Sequence, residues 1–559
     1  MEKDKARDIL PPGTAVDWAV ITLLWCVSVL VVNPLGNFPL NDDWAWGMTV
    51  KRLVEGGSYH PTGWAGMTLI TQVLWGALFC IPKGFSFNAL RVSTLVLALL
   101  GVLAIYSLVR RLNGSRFLAI CCALTLALNP IFFALSNTFM TDVPFTTMAI
   151  LAAFFYVRHL QNGADLDLIK GTAISIAAVL CRQLGLCLPL ALGATLLLKH
   201  GLQRRWIIRA VLPLLVSILV LGAFQHWLRA TGRLPALYSV KTDKLRDVLA
   251  RPMRIPINVA YFGWSMQMYL GWFLLPVMVL TGAWKNSAST RPRVILLARL
   301  ALGLFLVASI VRFLMLPKLM PVHNNIIIPE GIGPASLRDT LNLHLPNLPV
   351  LPEGFWLAVT ALSLAGAALL VLKTVKFVAG LISTNRSVQA NDDGLIGTFF
   401  LLSAGTYLIP FVLTGFFDRY LLPVAVFLVA FLAVSFEAKA VGPSRARQVL
   451  ALLLILGSGV FAVAGTRDYL EWNRTRWHAV DELLTKKDVK PKDVDGGFEF
   501  NGWYMYDTFT MTNWWVVNGP YVISFGKIEG YEPISKYTYK HWMPTYDGTI
   551  LVLKRKSQD

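Results

Sequence analysis

The chain has 559 residues, of which 55% are hydrophobic and only 15% charged, and its mean hydropathy is +0.57. Soluble domains carry about a quarter charged residues, so a soluble globular protein is excluded. In so apolar a chain the net charge of +19 points to basic inner loops and anionic lipid rather than to nucleic acid.

The first apolar run follows the mixed-charge start MEKDKARD and has no A-x-A-like cleavage site after it, so it reads as an uncleaved span. Further runs near the length a bilayer needs, about 17–25 residues, recur to residue 464. Spans are expected at 16–33, 90–109, 117–135, 143–157, 171–181, 183–198, 207–224, 257–282, 294–316, 355–372, 394–413, 420–436 and 448–464, about 13 in all. Met67 to Pro82 is too short to cross comfortably and reads as a helix lying at or dipping into the interface. With a cytoplasmic N-terminus, the inner connections hold Arg110, Arg111, Arg116, Lys199, Arg204, Arg205, Arg209, Lys373, Lys376, Arg445 and Arg447 among others, and the short outer ones only Arg182 and Arg419. That asymmetry is a strong positive-inside signal. An odd span count then places the C-terminus outside, together with four long segments: 34–89, 225–256, 317–354 and 465–559.

The expected fold is an all-α polytopic membrane protein, with residues 1–465 in the membrane domain and a small α+β extracytoplasmic domain at 466–559. The latter opens with a helix over Asp468 to Leu484 and continues as short strands such as FEFNGWYMY and GTILVLK. Its tryptophans (Trp472, Trp477, Trp503, Trp514, Trp515, Trp542) suit core packing or the membrane face first, and sugar stacking second. The six cysteines lie in apolar segments without metal-ligand or CxxC spacing, so neither disulfides nor a metal cluster follows.

Two outer stretches carry the acids. In FPLNDDWAWGMTVKRLVEGG (38–57), Asn41 or Asp42 can cap a helix that ends at Gly56-Gly57, with Trp46, Val50 and Leu53 as its apolar stripe. In NPIFFALSNTFMTDVPF (129–145), Thr141 or Asp142 can cap the fourth span, and Pro144 is tolerated in its first turn. Capping alone would explain each. Taken together the two stretches resemble the C-type (GT-C fold) membrane glycosyltransferases, such as protein O-mannosyltransferases and aminoarabinose transferases. That family has an acidic pair in its first outer loop, a juxtamembrane helix ending in Gly, and a further acid in a Thr-Asp-x-Pro setting in the next loop. ALRVSTLVLALLGVLAIYSLVRRLNG (89–114) is similar to the family's second span, and FFDRYLLPV (416–424) to its late Arg-Tyr-Leu-Pro motif. One departure stands out: where many members have a Lys-Pro-Pro turn, this chain reads SYHPTGWAGMTL, with His60 but no Lys.

The resemblance implies a polyprenyl-phosphate-linked sugar as donor, among membrane lipids, and a hydroxyl on a glycan, glycolipid or protein as acceptor. Inverting transfer would take place on the outer face of the plasma (inner) membrane. It makes 34–89 and 136–142 the catalytic outer loops, with Asp42 as general base and Asp43 and Asp142 as its partners. Arg419, then Arg182 and Arg91, with His60, are the candidates for the donor phosphate. No cofactor is required; a divalent metal on Asp42, Asp43 and Asp142 is an option that some relatives use. His323 and His344 match no metal pattern. The basic segment 225–256 reads as a solvated or lipid-facing loop, with covering of the donor head group as the alternative. A polytopic transporter or flippase of lipid-linked sugars is the competing class, and would be marked by paired halves and midplane charges.

Overall fold

The computed structural model describes residues 13–282, 291–383, 392–435, 444–506 and 517–557; Trp514 and Trp515 lie outside these. The first span is α1 (Thr14–Val32). The loop after it folds into α2 (Asp43–Gly56) and the short apolar α3 (Ile70–Cys80), a helix inside the stretch Met67 to Pro82 where a short one is expected. Next come α4 (Phe87–Asn113), α5 (Arg116–Ala127) and α6 (Pro130–Ser136). The expected single span 117–135 is instead bent by 61° between α5 and α6. Pro130 cannot donate to the preceding turn, and Asn129 restarts the helix by accepting the Ile131 and Phe132 amides at 3.0 and 3.1 Å.

The chain continues through α7 (Asp142–Asn162), α8 (Asp165–Cys181), α9 (Cys187–His200), α10 (Arg204–Ala230), the short α11 (Val240–Leu249), α12 (Arg254–Leu280) and α13 (Pro292–Met315). A loop with the hairpin β1 (Ile327–Ile328) and β2 (Gly331–Ile332) and the one-turn α14 (Arg338–Leu341) leads to α15 (Glu353–Ser383), α16 (Asp392–Thr414) and α17 (Leu422–Ser435). Among the described residues, eleven helical stretches are long and apolar enough to cross a membrane, and the bent pair makes a twelfth. The 17-residue α8 packs along α7 and ends at Arg182, which pairs with Asp142 at the start of α7. It therefore runs back alongside α7, but is too short to count among the candidate spans, so the described residues hold up to 12 against the 13 expected. The stretch Asp418–Ser435 is wholly enclosed, whereas α10 and α13 have only 17% of their apolar windows buried and leave leucines such as Leu212, Leu219, Leu300 and Leu304 exposed. At the α12–α15 crossing, a Cβ on Gly271 would lie 2.3 Å from Ser363 O and Ala367 N, a backbone approach that only glycine permits.

The C-terminal region departs most from expectation. The last span does not stop at 465: α18 (Arg445–Lys486) runs unbroken for 42 residues, so the expected boundary at 465/466 falls inside a helix. FEFNGWYMY is not a strand but holds α19 (Phe498–Met505). Its alternating pattern misleads because the polar positions Glu499 and Asn501 are buried too, satisfied by partners inside the protein. GTILVLK does lie in a strand, β6 (Thr545–Arg555), of the sheet formed with β3 (Val494–Asp495), β4 (Tyr521–Ser524) and β5 (Tyr531–Trp542) in the order β3-β4-β6-β5. The sheet is fastened to α18, where Asp468 accepts the Trp542 and Met543 amides at 2.8 and 2.9 Å. Trp477 stacks on Phe38 and Trp503 on Phe85, so this region packs directly on the loop between α1 and α4.

Candidate active site

Asp42 sits at the N-cap position of α2 yet makes no capping hydrogen bond. Its Oδ1 accepts the Trp64 indole N–H at 3.0 Å, and its Oδ2 pairs with Arg419 Nη2 at 3.0 Å. Asp142 likewise opens α7 without capping it. Its carboxylate is fully buried, 2.8 Å from Arg182 Nη2 and 4.0 Å from Arg419 Nε. Arg182 Nε also donates to Thr141 Oγ1 at 2.8 Å. The result is an alternating row, Asp42–Arg419–Asp142–Arg182, floored by the Tyr420 ring beneath both guanidiniums. Both capping explanations fail here, because each side chain reaches toward charge rather than toward its helix terminus.

Burying four charges is costly unless each is matched, and alternation matches them. Arg419 is nonetheless under-used: its Nε and Nη1 are buried and make no hydrogen bond. Its backbone is fixed by Asp418, a fully buried carboxylate that accepts the Arg419, Ile326 and Ile327 amides at 2.7, 3.0 and 2.8 Å. Beyond Arg182 and Tyr420 lies a cavity of about 330 Å³ lined by Met67, Leu184, Leu221, Leu245, Pro410 and Phe411, with Gln183, Gln225 and Tyr238 among its polar groups. Arg182 is the one charged residue in its wall. Thr242 and Leu245 of α11 close one side while Lys244, Arg246 and Arg251 stay exposed. The basic segment is thus tied to the site through its apolar face, and its charges point outward. It is strapped to the loop between α2 and α3, with the Leu237 amide donating to Gly63 O at 3.0 Å and Arg233 Nη1 to Tyr59 O at 3.1 Å.

Three nominated residues are not brought to this row. Asp43 turns inward, accepting the Leu40 amide on Oδ1 at 2.5 Å and the Phe139 amide on Oδ2 at 3.0 Å, and so latches the first acidic loop to the second. Burial pushes its carboxyl up from 3.8 to about 7, against the pull of both amides and of Arg91. The Arg91 guanidinium is occupied by backbone carbonyls of the same loop, with Nη1 donating to Pro34 O and Gly36 O and Nη2 to Phe38 O. His60 is exposed, and its contact is through its carbonyl, which accepts from Arg52. The donor set does not suit a divalent cation: Asp43 is spent on amides, Asp42 and Asp142 face arginines, and no group of three ligating side chains occurs among the described residues. His323 and His344 form no such group either.

Sequence reasoning missed Trp64 and Asp418. Asp418 carried a signal, a charge adjoining Arg419 at the mouth of an otherwise apolar run. Trp64 is one of 18 tryptophans and carried none.

Comparison with curated proteins finds no significant match. Among solved structures, ArnT from Cupriavidus metallidurans bound to undecaprenyl phosphate is 13% identical, with a TM-score of 0.42 and coverage of 96% of this chain and 97% of that one. The same protein in its apo state is 15% identical with a TM-score of 0.40, covering 96% and 98% of the two chains. The arabinosyltransferase EmbB from Mycobacterium smegmatis is 14% identical with a TM-score of 0.30, covering 83% of this chain and 42% of its own. Residues 69–228 match the family model described as dolichyl-phosphate-mannose-protein mannosyltransferase, a stretch that holds Arg91, Asp142 and Arg182. The family-model match covers less than a third of the chain, and over that stretch the chain is similar to this family; the helical, membrane-type fold surrounds the paired acids and arginines described above.

Proposed function

We propose that the protein transfers a sugar from a polyprenyl-phosphate donor to an acceptor hydroxyl on the extracytoplasmic face, with inversion at the anomeric carbon. The observation that carries this is the meeting of Asp42, Arg419, Asp142 and Arg182 beside an apolar-walled cavity. A lipid-linked donor needs both: a greasy channel for the chain and fixed positive charge for the phosphate.

In this reading the acceptor oxygen attacks the anomeric carbon as the bond to the phosphate oxygen breaks. The acceptor proton passes to the Asp42 carboxylate, which has the least buried acid oxygens of the row. The departing phosphate gains negative charge, and Arg182 and the unsatisfied N–H groups of Arg419 stabilise it without reorganising. Asp142 holds the two guanidiniums apart and aimed. The undecaprenyl phosphate bound by the structurally similar ArnT suggests the carrier class to offer first.

Asp42→Asn tests this. General-base help is worth about 10²–10⁴-fold, so turnover should fall by that order while membrane insertion holds. Glu55→Gln removes only an exposed pair to Lys51 at 4.0 Å and should be nearly silent. Normal turnover in Asp42→Asn would remove the assigned base.

A further inference from the structure

Asn41, the residue before the proposed base, has a left-handed backbone with φ 56°. Such a turn is uncommon outside glycine and must be held by its surroundings. Its side-chain Oδ1 accepts the Asp42 amide at 2.9 Å, and its own amide donates to Glu499 Oε1 at 3.1 Å. Glu499 lies more than 400 residues away in sequence, on α19 of the C-terminal region. Its other oxygen accepts from Ser336 Oγ at 2.6 Å and from Arg476 Nη1 of α18 at 2.8 Å. Glu499 and Arg476 are both completely buried. One carboxylate therefore joins the catalytic turn, the loop before α15, the last long helix and the C-terminal region.

We propose that Glu499, oriented by Arg476 and Ser336, is a positioning residue that aims Asp42 by clamping the Asn41 amide, which makes the C-terminal region part of the catalytic machinery. This rests on the reading of Asp42 as the base. The turn is pinned on both sides of Asp42: Glu499 takes the Asn41 amide, while Asp43 takes the Leu40 amide and ties itself to Phe139. Asp42 is left between two fixed points, facing Trp64 and Arg419. A buried ion pair is weak evidence of a stability role, since well-packed apolar replacements are often as stable. An acceptor for a strained turn beside a reacting group has a different use, because misplacement by about 1 Å can cost about 10²-fold in rate.

The test separates the lost clamp from the lost charge. Glu499→Ala alone would strand a buried arginine and can unfold the protein. The double variant Glu499→Ala/Arg476→Met removes both charges together. It should fold, bind a synthetic polyprenyl phosphate as the unaltered protein does, keep its KM for donor and lose about 10²-fold in kcat. Glu499→Gln/Arg476→Met keeps a carbonyl for the Asn41 amide and should recover most of that loss. Equal kcat in the two double variants would overturn the proposal. Hydrogen exchange on the unaltered protein needs no variant to fold: the Asn41 amide should exchange slowly, and exchange at the rate of an open loop would overturn the clamp. A protein that transfers no sugar but protects Asn41 would instead defeat the functional reading and leave the clamp standing.

Discussion

At position 43, amides from Leu40 and Phe139 converge on a carboxyl that is 1% exposed. Burial raises this group from 3.8 to about 7, so between those values the folded chain binds a proton that the unfolded chain has released. Stability from this site is then greatest below the lower value and falls as pH rises through the window to about 7. Asp43→Asn lacks that titration. The melting temperature of the unaltered protein, measured relative to the variant, should decline across the window and level above it; parallel curves would refute the assignment. Asp42, one residue earlier, could be nominated with Asp142, Arg182 and Arg419 because acids and arginines stand out beside the apolar runs of so apolar a chain. That Asp43 faces inward was not legible, since two adjacent carboxylates look alike until the partner amides are placed. Arg91 misled for the same reason: its charge suits a phosphate, yet its partners are the Pro34, Gly36 and Phe38 carbonyls.

Among the elements, hydropathy located the spans well because each must satisfy its backbone internally and present apolar side chains. What it cannot register is a break or a continuation. The bend at Asn129-Pro130 leaves the apolar run intact, and α18 continues past the membrane because Asp468, Asn473 and Arg476 find partners or enclosure beyond it. Helix contacts are similarly invisible in composition, and Gly271 shows the consequence. A side chain there must displace the Ser363 and Ala367 backbone of α15, and overpacking of this kind costs about 1–3 kcal/mol or more. Gly271→Val should lower the midpoint of detergent-induced unfolding. Gly405→Ala in α16, where an added Cβ meets nothing within 4 Å, should leave the midpoint unchanged or raise it. Equal behaviour of the two variants would mean that the α12–α15 crossing is looser than described.

For the whole molecule, the question is which compartment the acidic row faces. Asp142 and Arg182 lie at one end of the α7–α8 pair, and the C-terminal region is tied to that same end through Glu499 of α19 and Asn41, with its sheet fastened to α18 by Asp468. The stretch from Gln183 to His200 leads away from it, so Gln203 stands at the opposite end. The basic residues flanking that opposite end, Lys199, Arg204, Arg205 and Arg209, favour its retention in the cytoplasm. Orientation and site are therefore one proposal: if Gln203 is inside, the acids, the cavity mouth beside Arg182 and the sheet are all outside. Lys536 and Gln203 are both exposed, so a cysteine at either can be reached by a membrane-impermeant maleimide without disturbing the core. Lys536→Cys should label in intact spheroplasts, and Gln203→Cys only after lysis. The reverse pattern would put the acidic row in the cytoplasm, where nucleotide sugars are the available donors, and the lipid-linked donor would lose its rationale along with the outer-face assignment.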